Sequence, residues 1–221
     1  MLDTLPERPT GALTRDFIVC GWFTPDYRHW WNTLRKNLDE IGAPHDFVEV
    51  RKSDGGWEAN TMRKPHEILA AMDRHPDTTI IFLDVDCTVP GGIEGLSELA
   101  SIPGDVGIYL RTKWKPHGSP WIGTRTGTMV FKPTAAARLF VERWCEASLT
   151  APRHCTDQDS VRHAFGGVPG LSVTFLDQRY CALPKDNHPA PVILHNNAPK
   201  QGKSTRLQKI IGRLAWAFHF G

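Results

Sequence analysis

Apolar residues along this chain fall into two alternating patterns. Short β-branched or aromatic runs occur at 16–20 (DFIVC), 46–50, 80–83 (IIFL), 105–110, 126–131, 171–176 and 192–194. Their length and composition suit strands of a largely buried sheet. Between them lie stretches with apolar residues at helical spacing. Trp30, Leu34 and Leu38 predict a helix over about 27–41, with Gly42 as its stop. Ala136, Leu139, Phe140 and Trp144 predict another over 134–147, with that stripe facing a core. Shorter helices are expected over 66–75, over 93–100 and from 155 onward. Loops are expected at 21–24, 51–60 and 111–125. The chain thus opens as a βαβ unit and reads as one α/β domain over 1–221, a mixed, mostly parallel sheet with helices on both faces.

The two ends read differently. Residues 1–15 are an N-terminal extension. Over 205–218, Leu207, Ile210, Ile211, Leu214, Ala215 and Phe218 share one helical face, while Lys203, Arg206, Lys209 and Arg213 lie largely elsewhere. Such a basic amphipathic helix either packs on its own domain, which is the expectation here, or makes peripheral contact with an anionic membrane.

Composition narrows the classes. At 221 residues and 40% hydrophobic, the chain can bury a proper core. A net charge of +2 argues against a nucleic-acid footprint spread over the surface. The five cysteines are odd in number and include no CxxC, which suggests neither a disulfide framework nor a zinc site. A reducing cytoplasm is the natural setting. Residues 1–16 are polar with two prolines and do not read as a signal peptide. No apolar run approaches the ~20 residues of a membrane span.

Candidate chemistry centres on Asp84 and Asp86, which follow the apolar run 80–83 at once. Ligands collect beyond the carboxyl ends of strands in α/β sheets. Two carboxylates there repel unless a cation lies between them or one is protonated. Hard oxygen ligands suit Mn²⁺ or Mg²⁺; the alternative is a pair of solvated turn carboxylates. After the first strand there is no GxGxxG, which excludes the Rossmann dinucleotide fingerprint, but Trp22 is placed either to stack on a nucleobase or to be half-buried at the strand end. Arg63, Lys64 and Pro65 precede a helix, where basic residues serve an anion or remain surface charge. Thr126 and Gly127 open a strand with small side chains, which allow backbone to approach a ligand. Thr156 is a plausible N-cap, with Asp157 and Asp159 in the first helical turn. His195 ends a short late strand, as a structural residue or a metal ligand. Trp114 and Trp121, in the expected loop at 111–125, suit a sugar face or the packing of a lid.

Taken in order, these pieces resemble the GT-A glycosyltransferases, in particular the glycogenin and lipopolysaccharide-galactosyltransferase type. The likeness covers most of 16–200. IIFLDVD (80–86) matches the metal-binding DxD strand, and Arg63-Lys64-Pro65 the basic segment before the preceding helix. TGTMVFKPT (126–134) resembles the strand bordering the donor sugar. TDQDS (156–160) resembles the helix start at the reaction centre, and HNNAPK (195–200) the late His-to-Lys element. The resemblance implies a hexosyltransferase using a nucleotide-diphosphate sugar, a uridine diphosphate sugar by preference, with retention at the anomeric carbon. It implies Asp84, Asp86 and His195 as metal ligands and Asp157 and Gln158 at the reaction centre. Trp22, Thr24, Lys64, Asp84, Thr126, Gly127 and Lys200 would hold the donor. The acceptor would be a hydroxyl of a glycan, a lipid-linked intermediate or a small molecule, and no nucleic acid partner is implied.

Two rivals remain at this stage. DVDCT also fits the signature of haloacid-dehalogenase-like phosphatases, with Asp84 as nucleophile, Asp86 as acid/base and Thr112 as a second motif. That signature normally follows the first strand of its domain, whereas here at least two strands precede it. The other rival is a nucleotide-sugar binder without turnover.

Overall fold

The computed structural model describes residues 16–114 and 118–198, together with 204, 205, 207, 208, 210, 211 and 214. The N-terminal extension therefore lies outside the described residues. The strands are β1 (Phe17–Phe23), β2 (His45–Glu49), β3 (Thr79–Leu83), β4 (Cys87–Thr88), β5 (Val106–Trp114), β6 (Pro120–Phe131), β7 (Val173–Phe175) and β8 (Leu194–His195). The helices are α1 (Arg28–Glu40), α2 (Gly56–Thr61), α3 (Lys64–Arg74), α4 (Gly92–Ala100), α5 (Ala135–Thr150) and α6 (Asp157–Phe165).

Six strands form one sheet in the order β2-β1-β3-β6-β5-β7, and β4 pairs with β8 apart from it. β1 runs parallel to β2 and β3, and β7 parallel to β5. β6 is antiparallel to both of its neighbours. The sheet is thus mixed and mostly parallel, as expected.

Its centre is buried on both faces. All five residues of β3 are buried. Ile80 and Phe82 join the apolar cluster under α3, α5 and α6, while Ile81 and Leu83 join the cluster under α1 and α4. Period-two alternation divides one strand between two cores, which is why β3 reads as a continuous apolar run.

The structure corrects three expected loops. β1 continues through Phe23, so Gly21 and Trp22 are strand residues. The segment 51–60 contains most of α2. Within 111–125 most residues form an antiparallel strand pair: β5 extends to Trp114, and β6 begins at Pro120. Its outer half projects past the packed layers and is largely exposed, so it lacks the apolar run that marks a buried strand. In the C-terminal segment Leu207, Ile210, Ile211 and Leu214 are exposed, while Ala215 and Phe218 of the expected apolar face, and Lys203, Arg206, Lys209 and Arg213, lie outside the described residues. Among the described residues no helix is long and apolar enough to cross a membrane.

Candidate active site

β3 delivers the two carboxylates. Where it ends, the Asp84 N–H donates to the Gly127 carbonyl at 2.8 Å. The chain then turns through Val85 and Asp86 into β4. Cys87 of β4 pairs with His195 of β8, so a two-residue ladder brings His195 beside a motif more than 100 positions earlier. The following residues strap the turn in place. Asn196 N–H donates to the Asp86 carbonyl at 2.8 Å, and Ala198 N–H to Asp86 Oδ2 at 2.8 Å.

A break in the β5–β6 register supplies the other wall. Ile108 pairs with Met129 but Tyr109 pairs with Arg125, so residues 126–128 have no partner on β5. Bulges of this kind re-aim side chains. Here Thr126 and Thr128, both wholly buried, point into the site. Thr128 Oγ1 lies 2.9 Å from His195 Nε2, and Cys87 Sγ lies 3.3 Å from Nδ1. Between the threonines, a Cβ at Gly127 would lie 2.5 Å from His195 Cε1 and 2.9 Å from both Asp84 Oδ2 and His195 Nδ1. Only glycine leaves this space open.

The residues present fit a divalent cation. One ligand atom each from Asp86, Cys87 and His195 lie within 4.8 Å of one another. Burial holds the His195 pKa below its ordinary value against the pull of Asp84 and Asp86. The neutral imidazole is the ligating form. Burial also pushes the Cys87 thiol well up, and its Sγ borders the imidazole within the same trio. Carboxylate with imidazole suits Mn²⁺, and carboxylate alone Mg²⁺. Asp84 stands apart from that trio: its Oδ1 faces Lys64 at 2.9 Å, and its Oδ2 faces the space over Gly127.

Lys64 is no surface charge. It opens α3 on the face that carries Ile68, Ala71 and Met72, and is only 4% exposed. Its Nζ lies 2.6 Å from Asp157 Oδ2 and donates to the Thr126 carbonyl at 3.0 Å. Burial alone would lower the Lys64 pKa; Asp157 and then Asp84 outweigh it and hold the ammonium above its ordinary value. Asp157 also accepts from Thr126 Oγ1 at 2.6 Å.

The start of α6 divides its two acids. Asp159 Oδ2 accepts from the Thr156 N–H at 3.0 Å, which is the capping role. Asp157 points into the Lys64 network instead. Gln158, between them, is exposed to the cleft, with its carbonyl held by Thr124 Oγ1 at 3.0 Å.

These groups line one cleft of about 1130 Å³, part of it open to solvent. Trp22, Thr24, Lys64, Asp84, Asp86, Gly127, Asp157, Gln158 and His195 all border it. Thr126 sits just beneath, in the Lys64 network. Lys200 lies outside the described residues. Sequence reasoning missed Thr128, Tyr27, Lys52, Trp57 and Arg125 at or beside the cleft. Thr128 carries no signal of its own, because Gly127 beside it also faces His195 and strict alternation is broken there. Lys52 meets the cleft through its ion pair with Asp26 at 2.6 Å, a long-range contact with no local signature.

No protein-family model matches the sequence, and no curated protein matches it. Solved structures do. A glycosyltransferase involved in glycosylation of the major capsid of PBCV-1 superimposes with a TM-score of 0.64 at 16% identity, over 90% of this chain and 98% of the other. The galactosyltransferase LgtC, in complex with donor and acceptor sugar analogs, gives 0.51 at 10% identity over 91% and 94%. The glycosyltransferase GlyE of Streptococcus pneumoniae TIGR4 gives 0.52 at 14% identity, over 93% of this chain and 61% of GlyE. The chain has the GT-A-like fold of these glycosyltransferases. With the DVD on the third strand and antiparallel β6 beside it, the sheet does not give the phosphatase reading the first-strand position it needs.

Proposed function

We propose that the protein is a metal-dependent hexosyltransferase. It moves a sugar from a uridine diphosphate donor to a hydroxyl of a glycan, lipid-linked or small-molecule acceptor, with retention. The observation that carries this reading is the meeting of Asp84, Asp86 and His195 with Asp157 and Gln158 in one cleft at the end of β3. Cleavage of the donor leaves negative charge on a diphosphate; Asp86 and His195, with Asp84 sharing, would hold Mn²⁺ or Mg²⁺, which would supply Lewis-acid charge there. Trp22 stacks on the base and Thr24 contacts the nucleoside. Thr126 and Gly127 border the sugar, and Lys64 and Lys200 add positive charge near the phosphates. Gln158, the freer of the two reaction-centre side chains, presents its amide oxygen to the anomeric carbon. Asp157 adds negative field from behind, held by Lys64 and Thr126. A thermal-shift screen of nucleotide sugars tests this. Uridine diphosphate sugars should raise the melting temperature with Mn²⁺ and not with EDTA; equal shifts in both would remove the metal from the reading.

The same reading has the enzyme in the cytoplasm, in keeping with its five free, buried cysteines, with peripheral contact to an anionic membrane face. Its support is the exposed row Leu207, Ile210, Ile211 and Leu214, in a segment whose sequence interleaves Lys203, Arg206, Lys209 and Arg213. Flotation with phosphatidylglycerol vesicles checks it: Leu207→Glu with Ile211→Glu should abolish co-flotation, and equal recovery with neutral vesicles would refute the charge contribution.

A further inference from the structure

The β5–β6 hairpin carries a second chemistry beside the cleft. Tyr109 pairs with Arg125, Arg111 with Gly123, and Lys113 with Trp121. Cross-strand partners share a face, so Arg111, Lys113, Trp121 and Arg125 all project from the same side. Arg125 lines the cleft, which fixes that side as the one continuous with it. A Cβ at Gly123 would lie 2.1 Å from Trp121 Cη2, so the indole fills the space over the glycine, and it is 42% exposed. The next turn, Pro184–Asp186, follows Leu183 of the cleft wall and adds Lys185.

These cations outnumber the one carboxylate beside them, Asp186, whose field reaches Tyr109 together with those of Arg111 and Arg125. The fold's other arginines and lysines make many ion pairs, yet Arg111, Lys113, Arg125 and Lys185 make none among the described residues. Asp186, the acid of the neighbouring turn, accepts from the Leu183 N–H at 3.1 Å. Repulsion from Arg111 above all, and from Lys185 and Arg125, holds the exposed Lys113 ammonium below its ordinary pKa. The cleft is therefore polarised. Its floor is acidic, with Asp84, Asp86 and Asp157, and its hairpin rim is cationic around one flat aromatic ring.

We propose that this hairpin face is the acceptor subsite and that the acceptor is an anionic saccharide, carrying phosphate or carboxylate. A sugar ring lies on Trp121, and its anionic group meets the Arg111 guanidinium and the Lys113 and Lys185 ammoniums. An anion relieves the mutual repulsion of these cations, and guanidinium matches phosphate or carboxylate through paired hydrogen bonds. A net charge of one sign also steers a ligand of the other sign at low salt. The inference rests on the transferase reading for the word acceptor, but the binding it asserts does not.

The test titrates three probes into the full chain: methyl glucoside, methyl glucoside 6-phosphate and methyl glucuronide, with inorganic phosphate as a control. Tryptophan fluorescence and NMR shifts report binding. One or both anionic glycosides should bind about tenfold or more tighter than the neutral one at low salt, and the advantage should fall as salt rises. Arg111→Gln with Lys113→Gln should erase the advantage. Trp121→Ala should weaken glycoside binding while leaving inorganic phosphate unchanged. Equal affinity for charged and neutral glycosides overturns the proposal, as does inorganic phosphate binding as tightly as the glycoside phosphate. Uridine diphosphate with Mn²⁺ is titrated in parallel. Weakened nucleotide binding in the double variant, with glycoside binding intact, would assign the cations to the donor and also overturn it. If wild-type protein binds no uridine diphosphate, the donor reading of the cleft fails, and the glycoside data still decide the hairpin.

Discussion

Lys64 Nζ lies 2.6 Å from Asp157 Oδ2 and joins the first residue of α3 to the first residue of α6 beneath the cleft. Both side chains are buried, and Asp84 and the Thr126 carbonyl complete the ammonium's surroundings. The same ion therefore balances one carboxylate of the DVD and one of the α6 start.

Removing that ion leaves two carboxylates facing each other, one of them fully buried. Lys64→Met should cost about 3–5 kcal/mol, the usual loss when one partner of a buried pair is deleted. In a chain of this size that lowers the melting temperature by roughly 10 °C. Calorimetry measures it. A loss within about 0.5 kcal/mol of wild type, as for a surface substitution, would contradict the burial of this charge.

Asp157 and Gln158 should part company on substitution. On the proposed reading Gln158→Ala removes an exposed amide that acts in the transition state, so kcat should fall on the order of 10²-fold, with melting temperature and donor affinity held. Asp157→Asn removes the partner of a buried ammonium, so it should lower both melting temperature and kcat. Sequence reasoning alone treats the two as equivalent, and the Lys64 contact separates them. Near-wild-type turnover in both variants would take the start of α6 out of the chemistry.

Asp86 and His195, with Asp84 sharing, are the proposed metal ligands. Asp86→Ala and His195→Ala should each weaken Mn²⁺-dependent uridine diphosphate binding by about tenfold or more, while affinity for uridine hardly changes. Calorimetric titration in Mn²⁺ and in EDTA separates the two terms. His195→Ala with undiminished Mn²⁺ dependence would reduce His195 to a packing residue held by Thr128 and Cys87.

Much of this arrangement is legible in the sequence, for physical reasons. β3 declares itself because both its faces are buried, leaving no polar position to break the apolar run. Asp84 and Asp86 are visible because they end that run. His195 becomes legible only through the order of motifs, since its place depends on a two-residue ladder to Cys87 across more than 100 positions. The burial of Lys64 is legible in hindsight: it lies four residues before Ile68, on the face that continues through Ala71 and Met72. The hairpin at 111–125 is hidden because its outer strands are exposed and charged, and hydrophobic period is the signal that sequence reading depends on. The register break that re-aims Thr126 and Thr128 has no composition of its own. It is a shift within the β5–β6 pairing between Ile108 and Tyr109, beside the point where β3 ends at Leu83.

The most direct test follows the products. Purified protein is incubated with a panel of uridine diphosphate hexoses and Mn²⁺, and uridine diphosphate, free sugar and inorganic phosphate are quantified over time. Slow donor cleavage by water needs no acceptor, so the measurement does not wait on the acceptor's identity. The account predicts release of uridine diphosphate from at least one donor, stoichiometric with sugar, abolished by EDTA and by Asp86→Ala, with no inorganic phosphate. Inorganic phosphate as the metal-dependent product, or tight donor binding with no cleavage of any donor in the panel, would contradict it.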